Sequence, residues 1–176
     1  MFKLLLLNFV LYFAYAAINP ALYDLSALDL GSEKIEMSKY KGKLILFVNT
    51  ASGCGYTPQL AGLEKLYQKY KSKGLVVLGF PSNDFNQEGL SDSEIKKFCK
   101  LNYGVTFPLF KTSSVTGKDK NPVYKHLLKS LNEQRVGWNF EKILVSTDGK
   151  PLKKYKSSEK PLDGALEKDI VKNLKL

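Results

Sequence analysis

The stretch NTASGCGYTPQL, residues 49–60, sets a cysteine between two glycines where an apolar run ends and a helix-like run begins. Just upstream, KLILFVN (residues 43–49) is a continuous apolar run of strand length, the pattern of a central strand covered on both faces. Downstream, Leu60, Leu63, Leu66, Tyr67 and Tyr70 recur at helical spacing, with Pro58 suited to a first turn and Thr57 to its cap. GLVVLGF (residues 74–80) repeats the buried-strand pattern. A strand, a helix and a strand in this order predict a parallel strand pair joined by a right-handed crossover, with Cys54 at the end of the first strand.

Farther along, SDSEIKKFCKL (residues 91–101) opens with Ser91 and carries Glu94 three positions later. That is the capping-box pattern, and it predicts a helix with Ile95, Phe98 and Leu101 on one face. NPVYKHLLKSL repeats the logic with Asn121 as cap and Pro122 behind it. FEKILVST, the turn pair Asp148-Gly149 and KPLKKYK predict a hairpin, and PLDGALEKDIVKNL a closing helix. The order predicts an α/β protein with a thioredoxin-like fold, a central mixed β-sheet flanked by α-helices. Such an architecture does not by itself fix a function.

At 176 residues the chain is long enough to bury one core without disulfide staples, so neither of its two cysteines is needed merely to hold it together. With 44% hydrophobic and 25% charged residues it is neither a disordered chain nor a repeat array. The start, MFKLLLLNFVLYFAYAA, has a basic residue at Lys3, an apolar run from Leu4, and Ala14 and Ala16 around Tyr15. That is the pattern of a signal peptide over residues 1–16, cleaved near Ala16, which leaves residues 17–176 as one exported domain, periplasmic or secreted. Asn8 interrupts the run, which is shorter than the ~20 residues of a spanning helix; the alternative is an uncleaved N-terminal anchor.

Without residues 1–16 the chain keeps 26 basic against 17 acidic residues, a net charge of +9. The lysines are scattered, with no arginine-rich tract or stacking-aromatic motif, and nucleic acid is not an expected partner. A solvated lysine coat and peripheral contact with an anionic membrane both fit this charge.

Cys54 lies where backbone N–H groups and the positive end of a helix dipole favour a thiolate. Gly53 and Gly55 leave room for a substrate and for amides to face a developing anion. A buried structural cysteine is the alternative. Cys99, in the helix beginning at Ser91, reads equally as a small buried hydrophobe or as a partner for Cys54, including in a permanent disulfide. The chain carries two cysteines and a single histidine, His126, too few for a four-ligand zinc site, and no metal is expected. No second thiol follows Cys54 at CxxC spacing, which removes the thioredoxin-type disulfide exchanger. In GWNFEKILV, Trp138 and Asn139 precede an apolar strand, and their N–H groups suit either packing at the strand's end or donation to a charged sulfur.

Taken together and in order, NTASGCGYT, GFPSNDFNQEG, FCKLNYGVTFP and WNFEKILV resemble the glutathione peroxidase family, over roughly residues 22–176. The resemblance implies a peroxidase in which Cys54 is the peroxidatic cysteine, with Gln87, Trp138 and Asn139 as the donors around it and the amide of Gly55 adding to them. Cys99 resembles the resolving cysteine of the thioredoxin-dependent branch. The short segment between Asn121 and Trp138 resembles the monomeric, phospholipid hydroperoxide type. The implied substrates are hydrogen peroxide and organic or lipid hydroperoxides. No bound cofactor is implied, and the external reductant is thioredoxin, a similar dithiol or glutathione. Two alternatives remain, a glutathione-dependent enzyme in which Cys99 is structural and a non-catalytic secreted domain. The sequence departs from the family pattern at Thr50, Ser82 and Asp84, and DFNQEG is one residue short, which leaves Asn86 as an alternative to Gln87.

Overall fold

The computed structural model describes residues 21–176, so the signal-peptide boundary expected near Ala16 lies outside the described residues. The two apolar runs become β3 (Leu44–Thr50) and β4 (Leu75–Pro81), following a short antiparallel hairpin of β1 (Ser26–Leu28) and β2 (Lys34–Glu36). β3 and β4 pair in parallel from Leu44 opposite Leu75 to Thr50 opposite Pro81, joined through α1 (Gln59–Tyr70). Every residue of both strands is buried, as uninterrupted apolar runs require.

After α2 (Asp92–Tyr103) and α3 (Pro122–Ser130), β5 (Lys142–Val145) and β6 (Pro151–Tyr155) form the expected hairpin, and α4 (Ala165–Leu174) closes the chain. The main sheet runs β4-β3-β5-β6, with β5 antiparallel to β3. This mixed sheet with flanking helices is the α/β, thioredoxin-like arrangement read from the element order. The β1–β2 hairpin went unread, because its strands are three residues each and carry one buried side chain between them, Ile35.

Alternation along the strands splits the core into two layers. Leu44, Leu46 and Val48 of β3, with Leu75 and Val77 of β4, face Leu60, Leu63 and Leu66 of α1, Ile95 and Cys99 of α2, and Leu166 and Ile170 of α4. Ile45, Phe47, Leu78 and Phe80 face Val123, Tyr124, Leu127 and Leu128 of α3 on the other side. Phe80 is the hub of that second layer, stacked on Phe110 at a 4.4 Å centroid distance and edge-on to Tyr124 at 5.5 Å.

The helix caps follow the sequence for α2 and α3. Ser91 N donates to Glu94 Oε2 at 2.8 Å, and Asn121 Oδ1 accepts from Tyr124 N at 2.9 Å. The inward stripe of α2 differs from the expected one. Ile95 and Cys99, four residues apart, are buried, whereas Leu101 is 82% exposed. The helix turns Cys99 to the core and leaves Leu101 on the solvent side, so an apolar residue type misassigned its face.

Gly79 in β4 lies where Phe107 and Leu109 pack directly against the strand backbone. A Cβ there would lie 2.5 Å from Leu109 Cδ2 and 3.2 Å from Phe107 Cε2. Gly79→Ala is therefore expected to destabilise the fold by about 1–3 kcal/mol, read as a lower urea midpoint with an unchanged slope.

Candidate active site

Three segments meet at the carboxyl end of β3, each fixed by its own hydrogen bonds. In the first, the chain leaving β3 folds back on itself. Thr57 Oγ1 donates to Ala51 O at 2.8 Å and accepts Cys54 N–H at 3.1 Å, while Thr57 N donates to Cys54 O at 2.9 Å. Thr57 was expected to cap α1. Instead the helix begins at Gln59 without a side-chain cap bond, and the threonine hydroxyl closes the cysteine loop. Within this loop Tyr56 N–H points at Cys54 Sγ, 3.4 Å away, one residue beyond the Gly55 amide anticipated from the sequence. An amide aimed at sulfur interacts more strongly as negative charge develops there. Cys54 is 7% exposed. Gly55 has open space where a side chain would stand.

The second segment follows β4. Asp84 anchors it by accepting from Ser114 Oγ at 2.7 Å, Val115 N at 2.7 Å and Thr116 N at 2.9 Å. The turn then passes through Asn86, exposed and at φ +56°, and presents Gln87 to the cysteine loop. Gln87 O accepts Gly53 N–H at 2.8 Å, and a Cβ on Gly53 would sit 3.0 Å from that same oxygen. Glycine at position 53 lets the two loops touch. Beside it, the buried Glu88 carboxylate accepts from Ser52 N and Ser52 Oγ.

The third segment precedes β5. Asn49, at the end of β3, donates from Nδ2 to Trp138 O at 3.1 Å, and its own carbonyl accepts Phe140 N–H at 2.7 Å. Between those anchors Asn139 is fully buried and donates from Nδ2 to Gln87 Oε1 at 2.9 Å. The structure thus brings Gln87 and Asn139 together and leaves Asn86 outside. With its oxygen occupied, Gln87 keeps its Nε2 hydrogens as the available end. Asn139 Oδ1 is buried without a hydrogen-bond partner among the described residues, and such an unpaired polar atom costs free energy in a resting fold. Trp138 is 42% exposed and packs on Phe85 with ring centroids 5.2 Å apart. Among the described residues no hydrogen bond joins its indole N–H to Cys54.

Cys99 shares the apolar cluster that contains Cys54, and both are free thiols. Burial pushes the Cys99 thiol up to about 12, and the negative charge of Glu88 adds to the shift. Lys142, the lone charge inside an apolar strand, is a further buried group that no local sequence pattern marks. Its Nζ donates to Gln59 Oε1 at 2.5 Å, Glu159 O at 2.6 Å and Ser157 O at 3.2 Å, tying the start of α1 to the loop after β6. Burial lowers it to about 8 from the usual 10.5, against the opposing pull of Glu159 and Glu141.

A thiol at a strand-to-helix switch of a thioredoxin-like sheet, with a backbone amide on its sulfur and a carboxamide pair beside it, defines a thiol-dependent oxidoreductase. The glutathione peroxidase family model matches residues 22–128. A glutathione peroxidase-like peroxiredoxin of Schizosaccharomyces pombe is 50% identical over 152 residues, 84% of this chain and 95% of the relative. A hydroperoxy fatty acid reductase of Synechocystis is 41% identical over 156 residues, 83% and 92% of the two chains. A crystal structure of Trgpx in its apo form, 36% identical, superposes with a TM-score of 0.71 over 88% of this chain and 96% of that one. The chain belongs to the glutathione peroxidase family and is a thiol peroxidase that reduces hydroperoxides.

Lys142 makes a pH prediction. The folded state releases this proton at a lower pH than the unfolded chain, so between about 8 and 10.5 the unfolded chain binds more protons and this group's contribution to stability rises with pH. Buried tyrosines and Cys99 act in the opposite sense above pH 9, so the readout is the difference between wild type and Lys142→Met. Relative to that variant, wild type should gain roughly 2 kcal/mol between pH 7.5 and 9.5 in chemical denaturation.

Proposed function

We propose that Cys54 attacks the hydroperoxide and Cys99 resolves the product. The Cys54 thiolate forms a bond to one peroxide oxygen as the O–O bond breaks, and the other oxygen leaves as water or alcohol after taking a proton. Gln87 Nε2, Asn139 and Trp138 are the proposed donors to the departing oxygen, a role supported by the Gln87–Asn139 bond in the loops that adjoin the cysteine loop, while Tyr56 N–H faces the sulfur. Cys54 is left as a sulfenic acid. Cys99 then bonds to the Cys54 sulfur, its proton leaves with the displaced hydroxyl as water, and an external dithiol of the thioredoxin class reduces the disulfide to two thiols. The observation that carries this reading is the presence of two free thiols in one apolar cluster, one of them in the loop that adjoins the Gln87–Asn139 pair.

A second reading, with glutathione as reductant and Cys99 structural, is favoured by the burial of that thiol. Peroxide turnover with thioredoxin and with glutathione supplied separately decides between them. Under the first reading C99S loses more than about 90% of thioredoxin-supported turnover and its oxidation stops at Cys54 sulfenic acid; under the second, C99S keeps its glutathione-supported rate. In both, C54S abolishes peroxide reduction.

The Cys99 proton and its core packing both oppose resolution from the resting arrangement. We expect α2 to unwind locally after Cys54 is oxidised. Hydrogen exchange of the α2 amides should accelerate at least tenfold after one equivalent of peroxide. Unchanged protection in a sample whose disulfide has formed would reject the unwinding.

Lipid hydroperoxides fit the open space at Gly55, the residue after Cys54, and fit the name of the Synechocystis relative. Export of residues 17–176, action as a monomer and peripheral attraction to anionic membranes complete the proposal, the last resting on the net charge of +9.

A further inference from the structure

Glu88 has no role in the chemistry above, yet it is 5% exposed and its carboxylate is fully engaged. Oε2 accepts Ser52 N–H at 2.9 Å. Oε1 accepts Ser52 Oγ–H at 2.6 Å and Leu90 N–H at 3.2 Å. Its own amide donates to Asn83 Oδ1 at 3.1 Å, which fixes the backbone that carries it. Ser52 stands two residues before Cys54. Leu90 directly precedes Ser91, the residue that caps α2, which carries Cys99. One buried carboxylate therefore joins the loop of one thiol to the leading edge of the helix that holds the other. The Gly53 N–H to Gln87 O bond, 2.8 Å long, runs beside it as a second strap.

We propose that Glu88 is a positioning residue that latches α2 to the Cys54 loop and sets the rate at which Cys99 reaches the oxidised sulfur. The inference rests on the two-thiol reaction above and deepens its second step. In that step the Cys99 sulfur bonds to Cys54, the S–O bond breaks, and the hydroxyl departs as water with the Cys99 proton; Glu88 exchanges neither electrons nor protons. For Cys99 to swing out, the start of α2 must part from the Cys54 loop, and the two Glu88 bonds to Ser52 are polar links across that seam, beside the Gly53–Gln87 strap. The same charge also opposes ionisation of Cys99, so the latch keeps the resolving thiol packed and protonated while Cys54 waits for peroxide.

Two substitutions separate the parts of the latch. Glu88→Gln removes the charge, and whichever way the carboxamide turns, its NH2 end faces an N–H it cannot bind, either Ser52 N or Leu90 N. Ser52→Ala keeps the charge and removes only the Oγ bond. Reduced enzyme is mixed with one equivalent of hydrogen peroxide and quenched over time. Sulfenic acid on Cys54 is trapped in a C99S background, and disulfide is counted by mass after thiol alkylation. Glu88→Gln should form the disulfide about fivefold faster than wild type and Ser52→Ala about two- to threefold faster, as expected when each loses one bond and Glu88→Gln also loses the charge that strengthens the others, with Cys54 oxidation within about twofold of wild type. A merely structural glutamate would instead alter both steps together. Disulfide formation at or below the wild-type rate in either folded variant, with Cys54 oxidation intact, overturns the latch; where Glu88→Gln does not fold, the Ser52→Ala rate decides alone. Wild-type enzyme that oxidises Cys54 but forms no disulfide refutes the two-thiol reading itself and takes the latch with it.

Discussion

The Thr57 hydroxyl, lodged between Ala51 O and Cys54 N–H, is the contact on which the rest of this site depends. A parallel strand must hand the chain to a crossover helix, and the backbone groups at that handover have lost the sheet without yet gaining the helix. Thr57 satisfies one acceptor and one donor in the gap with a single buried side chain. The resulting loop is tight enough that Tyr56 N–H faces the cysteine sulfur. Without that closure neither the amide at the sulfur nor the contact between Gly53 and Gln87 would have a fixed place. The Cys54 thiol is thus placed at the strand end by one threonine side chain that pairs the backbone groups stranded there.

The neighbours arrive by a second constraint. β3 is central, so the chain on either side of it, after β4 and before β5, is delivered to the same edge of the sheet. Asn49 makes this explicit: its side chain and carbonyl grip residues 138 and 140, which forces Asn139 between them to point toward Gln87. Phe140 accepts a φ of +63° to complete the turn, an unfavoured conformation for an aromatic residue that its full burial holds in place. The loop of residues 83–90 brings Gln87 to Asn139 because Asp84 takes three donors from residues 114–116 and fixes where the turn starts.

What the sequence disclosed follows from which signals are local. Buried strands, the Ser91–Glu94 box, the Asn121-Pro122 start and the Asp148-Gly149 turn are each written in a few adjacent residues, and each formed as read. Leu101 falls on the solvent side against expectation because a helix face is decided by its angle to the sheet, which residue type reports poorly. Thr57 was read as a helix cap because its nearer partner, Ala51, offers no pattern. Glu88 and Lys142 gave only the faint sign of a charge next to apolar or loop residues; their partners lie 36 and 83 residues away in Ser52 and Gln59, distances at which periodicity carries nothing. The pairing of Gln87 with Asn139 rested on resemblance, since no rule of spacing joins positions 52 residues apart.

That α2 should be the mobile element follows from how little of it is buried. Two of its residues, Ile95 and Cys99, are fully in the core, and the exposed Leu101 contributes nothing to holding it down. β3 and β4, by contrast, are buried throughout and could not yield without dissolving both core layers. An enzyme that must bring a core thiol to a loop thiol needs an element whose local opening costs far less than global unfolding. The capping box of Ser91 and Glu94 and the αL cap at Gly104 let such a helix reform from its own sequence once it is released. In the proposed cycle, then, the sheet stores the geometry of the reactive loop, and the weakly buried helix supplies the motion that the sheet cannot.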